Sequence, residues 1–261
     1  MASENIVIVA AKRTAMGGFM GGLADVDATV LGATAIKAAL EQAGISGDKV
    51  SEVIMGNVLP AGLGQAPARQ ATLKAGLPLT AGATTINKVC GSGLKAVMLA
   101  SDLLKAGSAD VVVAGGMESM SNAPYLLDKA RSGYRMGHGQ IKDHMMLDGL
   151  ENAYDGKAMG CFAQGTADEK GISREQMDAF AVQSTTRAQQ AIASGAFANE
   201  ITPVTFQTRK GEMTFAVDEQ PGNAKIDKIP SLRPAFAKDG TITAANSSSI
   251  SDGAAALILM R

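Results

Sequence analysis

The feature that most limits this chain is an alternation that runs through residue 116. Short apolar, β-branched runs are followed by stretches whose apolar residues return at helical spacing. Residues 5–11 (NIVIVAA) are apolar at every position after Asn5, which predicts a strand buried on both faces. Over 28–43, Val30, Leu31, Ala35, Ala38 and Ala39 recur at helical spacing, and Gly44 follows as a C-terminal cap residue would. Residues 53–58 and 84–89 are further strand candidates. A helix with Pro67 near its start is expected over 67–75, and another over 94–106. A strand over 111–114 is expected to close at Gly115-Gly116. Strands alternating with helices are the signature of an α/β fold with a largely parallel sheet covered by helices.

The character changes after Met117. The stretch 119–157 is rich in Ser, Gly, Met and charge with weak periodicity, too long for a plain connection and therefore expected to be a functional excursion. An amphipathic helix follows over 173–194, where Ser173 and Gln176 stand at capping-box spacing. Residues 201–217 alternate like a hairpin around Arg209-Lys210-Gly211. Residues 254–260 (AAALILM) form an apolar run read as a buried parallel strand, central rather than terminal in its sheet. The resulting division puts 1–117 and 243–261 in one sheet domain and 118–242 in a loop-rich insertion. An apolar face meant for a further domain is expected to be exposed.

Composition narrows the function classes. A net charge of −1, with no basic stripe, argues against nucleic acid as partner. No run reaches the roughly 18 apolar residues of a membrane-spanning helix. The start, MASE, has no basic-then-apolar leader, so a cytoplasmic protein without a membrane partner is expected. The two cysteines, Cys90 and Cys161, make no disulfide framework, and each thiol needs its own explanation.

Cys90 falls at a strand-to-helix junction, in VCGSGLKAV. Gly91 and Gly93 would let the backbone turn sharply and approach a ligand, and a helix start would aim unpaired N–H groups at the sulfur and favour its thiolate. Two readings fit these residues alone: a reactive nucleophile, and a small residue packed in a tight turn.

NKVCGSGLKAV (87–97) resembles the thiolase nucleophile segment N-x-x-C-x-S-G. VAAKRTAMGGFMGGL (9–23), GNVLPAGLGQAPARQATLKAGLP (56–78), AGGMESMSNAPYLL (114–127), LRPAF (232–236) and GTITAANSSSISDGAAALILM (240–260) resemble further thiolase stretches in the same order. The resemblance covers essentially the whole chain and is nearest to the biosynthetic short-chain branch of the family. It implies a thiolase-like layered α/β fold: a five-stranded mixed sheet with helices, and a loop domain over coenzyme A. It also implies a second, similar domain that these residues do not contain.

The chemistry implied is two-step. Cys90 accepts an acetyl group from acetyl-CoA, and a second acetyl-CoA condenses with it to acetoacetyl-CoA; the reverse is thiolysis. The Cys90 N–H would serve an oxyanion hole. The family's base His (in G-H-P), its second Cys (in C-x-G-G) and an Asn (in N-E-A-F) belong to the second half, and none of these segments is present. His138 and His144 match no such motif and are read as a solvated or subunit-contact loop. Cys161 is read as packing.

For coenzyme A, the resemblance assigns Ser248 to the pantetheine, with Ala244, Met159 and Leu150 lining its pocket. Lys228 stands where relatives have Ser, and Ala158 where some have His, so a contact with the CoA arm is expected to be rearranged. Lys228 is read either as a CoA phosphate partner or as a solvated lysine. Lys210, Lys225 and Arg233 are basic neighbours on the same side, with the same two readings. Coenzyme A is then substrate and product, with no separate cofactor and no metal. A homo-oligomer is implied, dimer or tetramer, with the strand before Cys90 at the dimer interface. The alternatives are a longer-chain 3-ketoacyl-CoA thiolase, a ketosynthase-like condensing enzyme, and an inactive truncated domain that binds coenzyme A. AGGMES and NSSSISDGAA favour a thiolase over a ketosynthase.

Overall fold

The computed structural model describes residues 5–261; the leading MASE, read above as a start without a leader, lies outside the described residues. In chain order the strands and helices are β1 (Val7–Thr14), β2 (Gly17–Gly18), α1 (Ala28–Ala43), β3 (Glu52–Gly56), α2 (Pro67–Lys74), β4 (Gly82–Ile86), α3 (Ser92–Lys105) and β5 (Val111–Ser119). There follow β6 (Tyr125–Leu126), β7 (Lys142–Asp143), α4 (Met159–Lys170), α5 (Arg174–Ser194), β8 (Ile201–Thr202), β9 (Val204–Thr208), β10 (Gly211–Phe215) and β11 (Ser251–Met260). These form two compact units. The first runs to Asn122 and takes in Phe197–Glu219 and Ser251–Arg261; the second is Ala123–Ala196 with Gln220–Ile250. Residues 197–219, placed by the sequence in the insertion, thus cluster with the sheet, where β8 pairs with the end of β1 at Arg13 and Thr14.

The first unit is a mixed sheet in the order β4-β3-β5-β11-β1-β8, with β2 on β11. Five strands are long; β2 and β8 have two residues each. β4, β3 and β5 run parallel, and β11 lies antiparallel to both β5 and β1. Period-two alternation sorts the strands' side chains between two cores. Val53 and Met55, Val111 and Val113, and Ala256 and Ile258 face α1 and α2, where Leu31, Ala35, Ile36 and Ala39 meet them. Ile54, Val112, Ala114 and Leu259 face α3, which presents Ala96, Ala100 and Leu104. Each fully buried Leu, Ile or Val contributes on the order of 1.5–3 kcal/mol.

α1 spans the expected residues and ends at Gly44, whose φ of 64° is the left-handed cap conformation. The hairpin is present as β9 and β10, turning at Arg209-Lys210. Three expectations differ. β1 is not buried on both faces: Val7, Ile8 and Val9 are 44, 55 and 40% exposed. Over those residues β1 is paired only with β11, and its ladder bulges between Ile8 and Ala10. β11 is central, between β5 and β1, but antiparallel rather than parallel. β5 does not stop at its glycines; it continues to Ser119, paired with β11 throughout. Gly115 permits this by lacking a side chain. A Cβ on Gly115 would lie 2.0 Å from the Ala255 carbonyl oxygen. An apolar surface is exposed as well: Leu94 and Met98 on α3, at 71 and 53%.

The second unit is built on α4 and α5. Ser173 caps α5 as expected: its hydroxyl accepts the Gln176 N–H, and the Gln176 side chain accepts the Ser173 N–H at 2.8 Å. Among the described residues, no helix is long and apolar enough to cross a membrane.

One ion-pair cluster ties the end of β1 to the chain after β10. Arg13 holds Asp218 in a fork, 2.7 and 2.9 Å, donates to Glu200 at 2.7 Å, and lies over the Phe197 ring. Asp218 also accepts the Met16 N–H at 2.8 Å. Burial pushes the Asp218 carboxyl up, but the Arg13 hydrogen bonds, the Met16 amide and the Arg13 charge outweigh it and hold the group below the usual carboxylate range.

Two predictions follow from this packing. Gly115→Ala should cost roughly 1–3 kcal/mol, read as a lower urea midpoint, because the methyl group meets backbone rather than a movable side chain. Asp218→Asn should cost about 2 kcal/mol at neutral pH. Since the folded pKa lies below the unfolded value of about 3.9, the pair's contribution is present above roughly pH 4. It is lost as pH falls through the folded value, so thermal midpoints of the variant and the parent should converge in acid.

Candidate active site

Cys90 sits just past the carboxyl end of β4, where the chain leaves the edge of the parallel strands for α3. This is the side of an open α/β sheet where ligands bind. A cavity of about 340 Å³ opens there, lined among others by Cys90, Val89, Met16, Val58, Met117 and Glu118. Cys90 is an exposed free thiol, and the first helical residue of α3 is Ser92, so the helix N-terminus carries its partial positive charge to the sulfur's neighbourhood.

The turn is made differently from the sequence reading. Gly91 has φ −85° and needs no glycine for its conformation. Val89 carries the left-handed φ, +49°, which is costly for a β-branched residue. The neighbouring Gly56 serves packing. A Cβ on Gly56 would meet the Ser92 Cβ at 2.6 Å and the Gly93 nitrogen at 2.9 Å. A Cβ on Gly116 would make only an ordinary contact, 3.5 Å from the Gly93 Cα. Bare backbone at Gly56 on β3 therefore lets the first turn of the helix rest against the sheet. Gly93 lines the Cys90 cavity.

Hydrogen bonds fix the turn. Ser92 Oγ accepts the Lys88 N–H at 2.8 Å and donates to the Val89 carbonyl at 2.6 Å. The Ser92 N–H donates to the same carbonyl at 3.0 Å. Asn87 Oδ1 accepts the Val89 N–H at 2.8 Å, and its Nδ2 donates to the Val58 carbonyl at 3.4 Å. Glu118, at the end of β5, accepts from the Val58 and Leu59 N–H groups at 2.8 and 3.0 Å and from Asn57 Nδ2 at 2.8 Å. Asn57 is buried and leaves its Oδ1 unpartnered, a desolvation cost set against those donations. Asn87 and Ser92 stood in the motif without a role being read for them. Glu118 had one signal, a carboxylate directly after an apolar strand.

The other anticipated residues lie in the second unit, except Lys210, which lies in the β9–β10 turn of the first. Ser248 lines a cavity of about 690 Å³ with Asn246, Ser247 and the α5 residues Gln176, Met177 and Phe180. Its loop is pinned: Asn246 Nδ2 donates to Asp178 at 3.0 Å, and Arg174 donates to Asp178 at 2.6 Å and to the Leu232 carbonyl at 2.8 Å. Ala244 is exposed in the same loop. Met159 opens α4 with 44% exposure. Leu150 ends a π-helical turn over Met145–Leu150 and is half-buried. Lys228 is exposed in a short 3-10 helix beside Asp227. Lys210, Lys225 and Arg233 are exposed, and Cys161 is half-buried in the first turn of α4.

His144 differs from its expected place in a solvated loop. It is buried; its Nδ1 lies 2.5 Å from Oδ2 of the exposed Asp148, and its backbone N–H donates to the Pro124 carbonyl. His138 is exposed.

This geometry has close relatives. A family model for the thiolase N-terminal domain matches residues 6–261. The acetyl-CoA acetyltransferase of Escherichia coli (strain K12) is 56% identical over 98% of this chain and 66% of its own length. The mitochondrial acetyl-CoA acetyltransferase of Rattus norvegicus is 48% identical over 98% of this chain and 61% of its own length. The chain thus spans just under two thirds of these relatives. The solved structure of acetyl-CoA acetyltransferase from Syntrophomonas wolfei superposes with a TM-score of 0.93 at 41% identity, covering 98% of this chain and 64% of that one. With the N-terminal domain model matched from residue 6 to the last residue, the chain belongs to the thiolase family.

Proposed function

We propose that the protein acts as an acetyl-CoA C-acetyltransferase in which Cys90 accepts the acetyl group. The carrying observation is the exposed Cys90 thiol at the N-terminus of α3, in a cavity on the carboxyl side of the parallel strands. The names of the relatives support the choice of acetyl-CoA.

The steps balance as follows. The Cys90 thiol gives up its proton and its sulfur attacks the thioester carbonyl of acetyl-CoA. The tetrahedral oxyanion collapses, the bond to the coenzyme A sulfur breaks, and that thiolate takes up a proton. A second acetyl-CoA loses a proton from its methyl carbon, and that carbon attacks acetyl-Cys90. The Cys90 thiolate leaves and takes up a proton, equivalent to the one lost from the methyl carbon, so that the thiol is regenerated and acetoacetyl-CoA is formed. Coenzyme A is substrate and product, and the scheme needs no further cofactor. Ser248, on its pinned loop, is proposed for the pantetheine arm, with Ala244, Met159 and Leu150 along it and Lys228 near a phosphate.

The exposed apolar side chains of α3 and β1 are what a further family domain would cover. A homodimer, or a tetramer as a pair of dimers, is proposed on the open ladder of β4, the edge strand of the sheet. Free thiols at both cysteines fit the reducing cytoplasm.

Intact-mass measurement after incubation with acetyl-CoA should show one acetyl group, mapped to Cys90 and missing from Cys90→Ala. Acetylation that survives Cys90→Ala, or a Cys90 that alkylates normally yet never acquires acetyl, would remove Cys90 as the acyl acceptor of this chain.

A further inference from the structure

The unusual backbone beside Cys90 raises a question of what holds it. Val89 is β-branched, carries φ +49°, and is 49% exposed, so burial of its side chain does not stabilise the conformation. Residues 87–90 are all exposed, so the turn is not wedged in place by packing on both sides. What remains is hydrogen bonding. On the carbonyl side of Val89, Ser92 binds through both its N–H and its hydroxyl. On the amide side, the acceptor is Asn87 Oδ1 at 2.8 Å.

Asn87 is itself anchored across the sheet edge. Its Nδ2 reaches the Val58 carbonyl, and the Val58 N–H is held by the Glu118 carboxylate, which lines the Cys90 cavity. The backbone of one residue, Val58, thus links the end of β5 to Asn87 and through it to the strained residue, which directly precedes Cys90.

We propose that Asn87 is the positioning residue for Cys90, acting through Val89: anchored by Val58 and Glu118, it holds Val89 in the left-handed region and so keeps the thiol at the N-terminus of α3. The importance of this for turnover rests on reading Cys90 as the acyl acceptor; the clamp itself does not.

The logic yields a test that separates positioning from plain stability. Glycine adopts positive φ without strain, so Val89→Gly should make the clamp largely dispensable. In a Cys161→Ala background, where Cys90 is the only thiol, the second-order rate of iodoacetamide alkylation is followed by intact mass. The proteins compared are the parent, Asn87→Ala, Val89→Gly and the double variant, with unfolding midpoints for each.

Asn87→Ala should slow alkylation about tenfold, because the sulfur no longer keeps a single exposed position at the start of α3. With Val89→Gly already present, the same change should cost less than about threefold. An unchanged or faster rate in Asn87→Ala overturns the proposal, as does an equal cost with and without Val89→Gly. A merely structural Asn87 would lower the midpoint in both backgrounds without this coupling. Iodoacetamide needs no acyl-CoA site, so the coupling can hold even if acetyl transfer to Cys90 fails, and the two readings fall separately.

Discussion

The first turn of α3 rests on β3 at a separation that a side chain on Gly56 would not allow. Gly56 on β3, Gly93 on α3 and Gly116 on β5 meet there as bare backbone, and an added Cβ on Gly56 would fall inside Ser92. Much else depends on this contact. It brings the helix N-terminus to the carboxyl edge of the parallel strands. It obliges the chain to turn within five residues between β4 and α3, and it leaves Cys90 at the apex of that turn. Below the contact the helix is seated by Ala96, Ala100 and Leu104, small residues followed by one large one, so that α3 remains close to the sheet for its whole length.

The sheet supplies the matching constraint. β11 lies between β5 and β1 and pairs with both, so residues at the far end of the chain complete the wall of the Cys90 cavity: Ser251, Gly253, Ala254 and Ala255 line it beside Gly56 and Gly93. At the same end of β11, Asp252 is fully buried, and burial raises its carboxyl above the usual range even though the Ser121 N–H and hydroxyl donate to it. The site is therefore assembled from strands far apart in sequence. The loop-closure cost of that arrangement is offset by the long β5–β11 ladder.

What was legible in the sequence was what local chemistry decides. The helix over Ala28–Ala43 was marked by its periodicity and by Gly44, and the start of α5 by the Ser173 and Gln176 pair. The hairpin was marked by alternation around Lys210-Gly211. Cys90 was marked by its place between an apolar run and a helix. Partners far along the chain decided the rest. Gly115-Gly116 looks like a strand end, yet β11 closes against it and the strand continues. AAALILM looks like a parallel strand because it is apolar throughout, but being covered on both faces has that effect in either direction. His144 looked like a loop residue, but its backbone N–H is held by the Pro124 carbonyl, on an earlier stretch of the chain, and its side chain is buried. The role of Asn87 depends on Val58 and Glu118, which no local pattern connects to it.

The choice of valine at position 89 then has a physical meaning. A glycine would reach the same φ without strain and would need no clamp to do so. A β-branched residue has few alternatives and little χ1 freedom. Once Asn87 and Ser92 have fixed the amide and the carbonyl of Val89, its stiffness works in favour of one arrangement. Strain and hydrogen bonds together thus define a narrower ensemble than an unstrained turn would, and that narrowness fixes where the Cys90 thiol stands at the start of α3.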